Sequence, residues 1–341
     1  MTTRFKIVLG AAALSAGLAA GSGAAQAQAD FYKDKTINIY VGYSTGGGYD
    51  VYARTLSRFL GRHIPGNPTV IVTNMPGAGS LRAANWIYNV APKDGTVIGT
   101  VARGAAFDPL FGLPGTQFDA TKYTWIGSAN DEVSVCVSWH TSQVKTFDDL
   151  LTKEMIVGGT GGSADTDQFP KVINGVLGTK MKVIAGYPGG NDINLAMERG
   201  EVQGRCGWSW SSVKSTQPEW VRDKKVSVLL QLSMEKHEDL PNIPSVIEKA
   251  KTEEDRQVLQ LVFARQIMGR PFMGPPGIPA DRTAMLRKGF MDALKDKELL
   301  AEADKAKLEI TPVDGATIQK LVEDSYKVSP AVAKRAGELL K

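Results

Sequence analysis

The chain has 341 residues, with 40 basic and 36 acidic side chains, a formal net charge of +4 and 43% hydrophobic residues. This near balance of charge argues against nucleic-acid binding, and no run of Lys or Arg suggests a membrane-binding patch. About 310 residues follow the N-terminal leader described next, which exceeds the usual size of one hydrophobic core and predicts two domains.

The N-terminus has the order of a secretory signal peptide. Arg4 and Lys6 form a basic head, residues 7–20 are an apolar run, and two overlapping A-x-A sites occupy residues 25–29. The apolar run is shorter than the about 20 residues that a membrane span requires. We therefore predict that residues 1–29 are a signal peptide and that the mature protein reaches the periplasm.

Strands and helices alternate in the first part of the chain. Alternating apolar residues predict a strand over 36–41, and apolar residues at helical spacing from Tyr52 to Leu60 predict a helix. Further strands are expected at 69–73 and 96–101, with a helix between them that begins near Leu81. Such a βαβαβ series indicates a parallel sheet with helices on its faces.

A second series starts near residue 131. Strands are predicted at 133–139, 155–158, 181–185 and 226–232, and Thr146 with Asp149 resembles a capped helix start. The Pro-rich segment 271–279 leads into mainly helical sequence, which is too short for a core of its own. We expect this tail to pack on the first domain, so lobe 1 comprises 30–130 plus 250–341 and lobe 2 comprises 131–249.

Four Gly-rich loops each lie between a predicted strand and the start of a helix. The first turn of a helix has unpaired N–H groups and the positive end of the macrodipole, so it attracts anions. Glycine also lets the backbone approach a ligand closely. Any one of these loops is compatible with a plain tight turn, whereas four at equivalent positions indicate a site. The loops span residues 43–50, 76–80, 159–163 and 187–191.

The order of these motifs resembles the Bug family, the periplasmic receptors of tripartite tricarboxylate transporters. The first matches are the Gly-rich loop ending in Asp50, the Asn74-x-Pro76-Gly77-Ala78-Gly79 segment and the Pro92-x-Asp94-Gly95 turn. Later matches are Tyr187-Pro188-Gly189-Gly190, Gly200-Glu201-Val202 and Pro275-Pro276-Gly277-Ile278-Pro279. The resemblance covers nearly the whole chain after the leader.

The resemblance implies an α/β, two-lobed periplasmic binding protein of type II-like fold, with a ligand cleft between the lobes. Each lobe would be a mainly parallel sheet flanked by helices. The protein would be a monomer without cofactor or catalytic activity, binding a small carboxylate largely through backbone groups and water and passing it to a membrane permease. The implied contacts are Tyr43, Ser44, Thr45, Gly47, Gly48, Gly77, Ala78, Gly79 and Ser80 in the first lobe, and Thr160, Gly161, Gly162, Ser163, Tyr187, Gly189, Gly190, Asn191 and Asp192 in the second.

Three features of this chain depart from the family pattern or need a separate interpretation. Arg103 either pairs bidentately with a ligand carboxylate or binds a local acid. Trp208 or Trp210 either forms a wall of the cleft against a planar ligand or packs in the core. Asp50 would repel an anionic ligand, so we expect it to cap the helix or orient the loop. These departures argue against citrate and leave aromatic or shorter acids open.

The two cysteines, Cys136 and Cys206, belong to a chain predicted to enter an oxidising compartment. Two alternatives follow: they form a disulfide, or they are two buried small apolar residues. Their spacing does not match a metal site, and no histidine accompanies them in a recognisable pattern. We therefore predict no metal site.

The main enzymatic alternative is a serine hydrolase of the α/β type that uses Ser44. Residues 42–46 match G-x-S-x-G between a strand and a helix. The later histidines are His63, His140 and His237, and neither of the last two has the context of a triad. The segment would also lie after the first strand, whereas hydrolases normally build several strands before it. No glycine loop is followed by the GK[ST] of a nucleotide-binding site.

Overall fold

A computed structural model describes residues 31–341, and these residues form two β-sheets flanked by helices. The predicted signal peptide lies outside the described residues. The first sheet has six strands and the second has five. Within residues 31–341, no helix combines the length and the apolar character that crossing a bilayer requires.

Over residues 36–100 and 155–209, helices and strands alternate as the sequence predicts. The strands are β1 (Thr36–Val41), β2 (Thr69–Asn74), β3 (Val97–Thr100), β4 (Thr124–Ser128), β5 (Ser134–Trp139), β6 (Met155–Gly158), β7 (Met181–Ile184), β8 (Gly204–Ser209), β9 (Val226–Leu232), β10 (Pro271–Gly274) and β11 (Val313–Asp314). The α-helices are α1 (Gly48–Leu60), α2 (Leu81–Asn89), α3 (Phe147–Thr152), α4 (Asp165–Leu177), α5 (Gly190–Glu198), α6 (Trp210–Thr216), α7 (Pro218–Arg222), α8 (Glu253–Phe263), α9 (Ala280–Ala293), α10 (Lys297–Lys305), α11 (Gly315–Ser325) and α12 (Pro330–Leu340).

The first sheet has the strand order β11-β4-β10-β3-β1-β2. Strand β1 is parallel to both β2 and β3, as the βαβαβ pattern predicts. The alternation of β1 explains its position, because Ile37, Ile39 and Val41 are all fully buried. Strand β10 runs antiparallel to β3 and β4, and β11 runs antiparallel to β4.

The second sheet has the strand order β7-β6-β8-β5-β9. Strand β6 is parallel to β7 and β8, whereas β5 is antiparallel to β8 and β9. Both sheets are therefore mixed, not mainly parallel as expected. Strands β5 and β10, unlike the antiparallel strand β11, each follow a passage of the chain from one sheet to the other. Such a strand does not belong to a βαβ unit of the sheet that it enters, so the parallel rule does not fix its direction.

Three strands of the first sheet were not predicted, and one of them, β11, is a two-residue strand within the tail that was expected to be mainly helical. Strand β4 lies in a segment with no clear alternation, and four of its five residues are buried. Strand β10 begins at Pro271, inside the segment interpreted as a Pro-rich connection. Proline is tolerated as the first residue of a strand, where the missing N–H removes no essential ladder bond.

The C-terminal tail divides between the two sheets, in contrast to the expectation that all of it packs on the first. Helices α9 and α11 contact β4, and α10 contacts α1. Helix α12 instead packs on α4, which covers the second sheet, and α8 packs on α12. Phe263 of α8 and Phe169 of α4 have ring centroids 4.7 Å apart, and Lys171 donates to the carbonyl of Leu340 at 2.9 Å. The apolar face of α4 thus requires the last helix of the chain as its cover.

Cys136 and Cys206 form a disulfide, the first of the two alternatives. They lie on the neighbouring antiparallel strands β5 and β8 and are paired directly opposite each other. Both side chains are fully buried. The bond closes a loop across a sequence separation of 70 residues.

We expect loss of this disulfide to lower the free energy of unfolding by about 2–5 kcal/mol, because the bond restricts the unfolded chain. The measurement is urea unfolding of the wild type and of the Cys136→Ser/Cys206→Ser double variant. Because the chain has only two cysteines, dithiothreitol should lower the wild-type midpoint toward that of the variant and leave the variant unchanged. Equal midpoints for the two oxidised proteins would contradict this expectation.

Candidate functional site

The four Gly-rich loops lie at the carboxyl ends of parallel strands. They follow β1, β2, β6 and β7 and lead into α1, α2, α4 and α5. Ligands of parallel α/β sheets bind at this edge, where the helix N-termini are also located. The structure therefore gathers the loops of both sheets in one region, as the sequence predicts.

Loops from the two sheets contact each other directly. The backbone N–H of Ser44 donates to the carbonyl of Pro188 at 3.2 Å, and Gly79 N–H donates to the carbonyl of Thr160 at 2.9 Å. The Ser44 hydroxyl donates to Asp192 Oδ2 at 2.7 Å. The amide of Asn191 donates to the carbonyl of Thr45 at 3.0 Å. The two halves of the molecule are thus in a closed arrangement.

A cavity remains between the two halves behind these contacts. Its walls come from both sheets and include two tyrosines, a tryptophan, three arginines and several small residues. The lining residues are Tyr43, Gly47, Gly48, Tyr49, Arg103, Thr160, Ala164, Asp165, Thr166, Gly190, Arg205, Gly207, Trp208, Ser209, Ser212 and Arg270.

The residues predicted as ligand contacts fall into two groups. Seven of them line the cavity: Tyr43, Gly47, Gly48, Arg103, Thr160, Gly190 and Trp208. The others lie outside its lining. These are Ser44, Thr45, Gly77, Ala78, Gly79, Ser80, Gly161, Gly162, Ser163, Tyr187, Gly189, Asn191 and Asp192.

Several residues of the second group have identifiable partners. The Ser80 hydroxyl accepts from Ala102 N–H at 2.7 Å, and Ser163 donates to Asp108. Gly79 and Gly161 permit close approach of two loops, because a Cβ at Gly161 would lie 2.5 Å from Gly79 N. Their role is therefore to let the two halves meet.

Arg103 is bound to a local acid, the second of the two alternatives. Its guanidinium is buried, and its Nε lies 2.8 Å from Asp165 Oδ2. Its two other nitrogens donate to Gln266 Oε1 at 2.7 Å and to Ser209 Oγ at 2.6 Å. Arg103 still lines the cavity, but its charge is balanced by Asp165.

Two further arginines of the cavity were missed by the sequence interpretation. Arg270 is buried and donates to the hydroxyls of Ser209, Ser211 and Ser212, and its Nη2 lies 3.4 Å from Glu132 Oε2. Arg205 is the second residue of strand β8. An arginine within a strand of otherwise buried residues is unusual and was the signal available in the sequence.

The polar groups around the cavity are arranged to donate. Ser209 Oγ accepts from both Arg103 and Arg270, and the Tyr49 hydroxyl oxygen accepts from Arg103 N–H at 3.1 Å. With their oxygens engaged in this way, both hydroxyls are left to donate their own hydrogens. Hydroxyl donors beside guanidinium groups favour a ligand that only accepts hydrogen bonds.

Asp50 orients the first loop. One carboxylate oxygen accepts from Gly46 N–H at 2.8 Å and from Arg54 Nε at 2.9 Å, and the other accepts from Asn74 at 2.8 Å. Although burial opposes it, the hydrogen bonds from Arg54, Gly46 and Asn74 lower the pKa of the Asp50 carboxyl. Asp50 is 1% exposed and does not line the cavity.

The tryptophans near the cleft have separate positions. Trp208 lines the cavity, and the guanidinium carbon of Arg205 lies 4.7 Å from the centre of its ring. Trp210 donates from its indole nitrogen to Asp239 Oδ2 at 2.9 Å and lies outside the lining.

Solved structures similar to this chain are periplasmic binding proteins. BugD is 17% identical, with a TM-score of 0.72 over 90% of this chain and 99% of that chain. MatC (Rpa3494) from Rhodopseudomonas palustris with bound malate is 15% identical, with a TM-score of 0.70 over 90% and 99% of the two chains. R. palustris Rpa4515 with adipate is 16% identical, with a TM-score of 0.69 over 89% and 97%.

The chain has the fold of the Bug-type periplasmic binding proteins. The resemblance to the Bug family and the two-lobed fold class predicted from the sequence are thereby confirmed. The UPF0065 protein in gbd 5'region from Cupriavidus necator is 38% identical over 116 residues, or 34% of this chain and 32% of that protein. This match spans about a third of the relative's length. No protein-family model matches the chain.

In this Bug-type fold, Ser44 is not arranged as a hydrolase nucleophile. Its hydroxyl is hydrogen-bonded to Asn191 and Asp192, and among residues 31–341 no histidine is bonded to it. His63 Nε2 lies 2.7 Å from Asp296 Oδ2, and His237 Nε2 lies 3.3 Å from Glu309 Oε1. A triad requires a base in hydrogen-bond reach of the serine.

One polar cluster joins the two halves away from the cavity. His237 Nε2 faces Glu309, and Lys214 Nζ contacts both Glu309 and Asp239, the latter at 2.7 Å. His237, Asp239 and Glu309 are close enough to share a cation. The Lys214 ammonium already occupies this position, so the cluster is a set of ion pairs.

His237 should make stability depend on pH. Its hydrogen bond with Glu309 raises the pKa of the imidazole in spite of burial. Protonated His237 therefore stabilises the folded state at a pH below the pKa of an unfolded histidine, which is about 6.5. This stabilisation is lost as the pH rises through the pKa of His237 in the folded protein. The free energy of unfolding of His237→Gln should therefore be lower than that of the wild type by about 0.5–1 kcal/mol at pH 5.5 and by less at pH 9. Urea unfolding at both values tests this, and an equal loss at both would contradict it.

Proposed function

We propose that this chain is a periplasmic receptor that binds a small organic carboxylate and delivers it to a membrane permease of the tripartite tricarboxylate type. In this proposal the protein is a monomer and not an enzyme. Its lobes are 30–130 plus 250–341 and 131–249, with α8 and α12 of the tail also covering the second lobe.

The observation that carries the proposal is the character of the cavity between the two lobes. Three arginines line it, and only one acidic residue, Asp165, does so. The Ser209 and Tyr49 hydroxyls are left to donate, and α1 and α5 begin with cavity residues Gly48 and Gly190. Cationic groups, hydroxyl donors and helix N-termini together suit a carboxylate, which only accepts hydrogen bonds.

The neighbours support the same class of ligand. MatC is described with malate and Rpa4515 with adipate, both of which are small dicarboxylates. Because these structures are less than 20% identical to this chain, they support the fold and the type of ligand without identifying the acid.

The proposed mechanism is closure of two lobes on the ligand. The open receptor captures the acid at the loops of one lobe, and hinge rotation then brings the loops of the other lobe onto it. Closure follows ligand binding when some ligand contacts exist only in the closed state. The contacts of Ser44 with Pro188 and of Gly79 with Thr160 join the lobes in that state.

A thermal-shift screen of the purified protein tests the proposal. The panel contains acetate, malonate, succinate, malate, adipate, citrate, benzoate and phthalate, and a parallel assay follows ester hydrolysis. We expect saturable stabilisation by at least one acid and no ester turnover. The absence of any shift, together with ester hydrolysis that Ser44→Ala abolishes, would contradict the receptor function and support a serine hydrolase.

A further inference from the structure

We propose that Arg205 is the direct ionic partner of the ligand and therefore a residue that determines specificity. This inference rests on the proposed receptor function and deepens it. It assigns the recognised group as a carboxylate, held bidentately by one edge of the Arg205 guanidinium.

Arg205 is half-buried and differs from the buried arginines of this region in having no acidic partner. Arg103 and Arg265 share Asp165, at 2.8 Å and 3.5 Å, and Arg270 lies 3.4 Å from Glu132. Within the described part of the chain, no carboxylate lies within ion-pair distance of Arg205. Arg205 is thus the cavity arginine whose charge is not compensated by the protein.

The hydrogen bonds of Arg205 use one side of its guanidinium. Nη1 donates to the carbonyl of Gly190 at 3.0 Å and to Asn194 Oδ1 at 3.2 Å. Nε is buried without a partner, and no described residue accepts from Nη2. The edge formed by Nε and Nη2 is the edge that binds a carboxylate with two parallel hydrogen bonds.

Two neighbours fix the position of this guanidinium. Its carbon lies 4.7 Å from the centre of the Trp208 ring, which also lines the cavity. A Cβ at Gly190 would clash with the Arg205 guanidinium, so a larger residue there would displace the guanidinium from this position. Gly190 therefore supports ligand binding by accommodating Arg205.

The electrostatics of the cavity agree with this geometry. Burial lowers the pKa of Arg205, nearby Arg270 lowers it further, and Tyr43 partly opposes them, leaving a value of about 9. A buried charge without a counter-charge is unfavourable. A bound carboxylate would supply the missing negative charge.

The test compares Arg205→Met, Arg205→Lys and the control Arg199→Met by isothermal titration calorimetry. The probe is the acid of the panel above that most stabilises the wild type. Arg199 suits the control because its side chain is 68% exposed. We expect Arg205→Met to weaken binding by roughly 30-fold or more. Arg205→Lys should recover only part of this loss, because lysine lacks the planar fork. Arg199→Met should bind as the wild type does.

The unfolding midpoint of the unliganded protein distinguishes a ligand-binding role of Arg205 from a structural one. Replacing a buried, uncompensated charge by methionine should leave the unfolding midpoint of the unliganded protein unchanged or raise it. A lower midpoint for Arg205→Met would identify a structural residue and overturn the inference. Wild-type affinity in Arg205→Met would overturn it while leaving the receptor function intact. Failure of every acid to bind the wild type would overturn both proposals.

Discussion

Replacing Asp165 by alanine should lower the free energy of unfolding by about 3–5 kcal/mol, because the change leaves two buried arginines without their shared counter-charge. Asp165 is 7% exposed, and Arg103 and Arg265 are 1% and 0% exposed. Its carboxylate oxygens lie 2.8 Å from Arg103 Nε and 3.5 Å from Arg265 Nη1. Urea unfolding followed by circular dichroism gives the free energy directly.

The control for this variant is Asp148→Ala. Asp148 also lies in the first turn of a helix, but it is exposed. Surface changes of this kind usually alter stability by no more than about 0.5 kcal/mol. The loss of unfolding free energy in Asp165→Asn should lie between those of Asp165→Ala and Asp148→Ala, because asparagine keeps the shape of the side chain and removes its charge. A loss below about 1 kcal/mol in Asp165→Ala would show that Arg103 and Arg265 do not depend on this carboxylate.

Replacing Gly161 by valine should prevent closure of the lobes and weaken ligand binding by about 100-fold or more, as expected when a positioning contact is lost. A Cβ at Gly161 would lie 2.5 Å from Gly79 N and 2.6 Å from the carbonyl carbon of Ala78. These atoms are backbone atoms of the opposite lobe, so a rotamer change cannot relieve the clash. Opening of the lobes can relieve it, and the variant should therefore remain folded.

The matched control is Gly178→Val. Gly161 and Gly178 both have positive φ, at 128° and 78°, so valine strains the backbone at either position. A Cβ at Gly178 has no atom within 4 Å. Gly178→Val should therefore lose stability and keep its affinity. Small-angle X-ray scattering should show a larger radius of gyration for Gly161→Val than for wild type in saturating acid. Equal compaction and equal affinity would contradict the role of Gly161 in closure.

The elements with strong local patterns could be predicted from the sequence. The bounds of β1, β6 and β9 agree with the predicted strands, because alternation or a short apolar run marks each of them. Thr146 and Asp149 form the expected capping box at α3. Strands β4 and β10 were missed because their place in the sheet depends on pairing with residues far along the chain, which local propensity does not report.

The location of the candidate site was predictable, but its lining was not. The Gly-rich loops lie where strand order and helix N-termini place them. Which loop residues line the cavity depends on how the lobes meet. Ser44 and Asn191, for example, are occupied by each other's loops in the closed arrangement. Arg270 reaches the cavity from a segment following α8, and Arg205 from a strand of the other sheet. No local sequence pattern indicates that Arg205 and Arg270 lie in the same cavity.

The measurement that tests the central claim most directly is calorimetric titration of the wild-type protein with the best acid of the panel and with its uncharged amide. The two compounds have nearly the same shape and differ in charge and in hydrogen-bond donors. A cavity lined by arginines and donating hydroxyls should bind the acid with micromolar affinity, about −8 kcal/mol, and the amide roughly 100-fold or more weakly. Equal affinity for the two compounds would contradict recognition of an anion by this cavity.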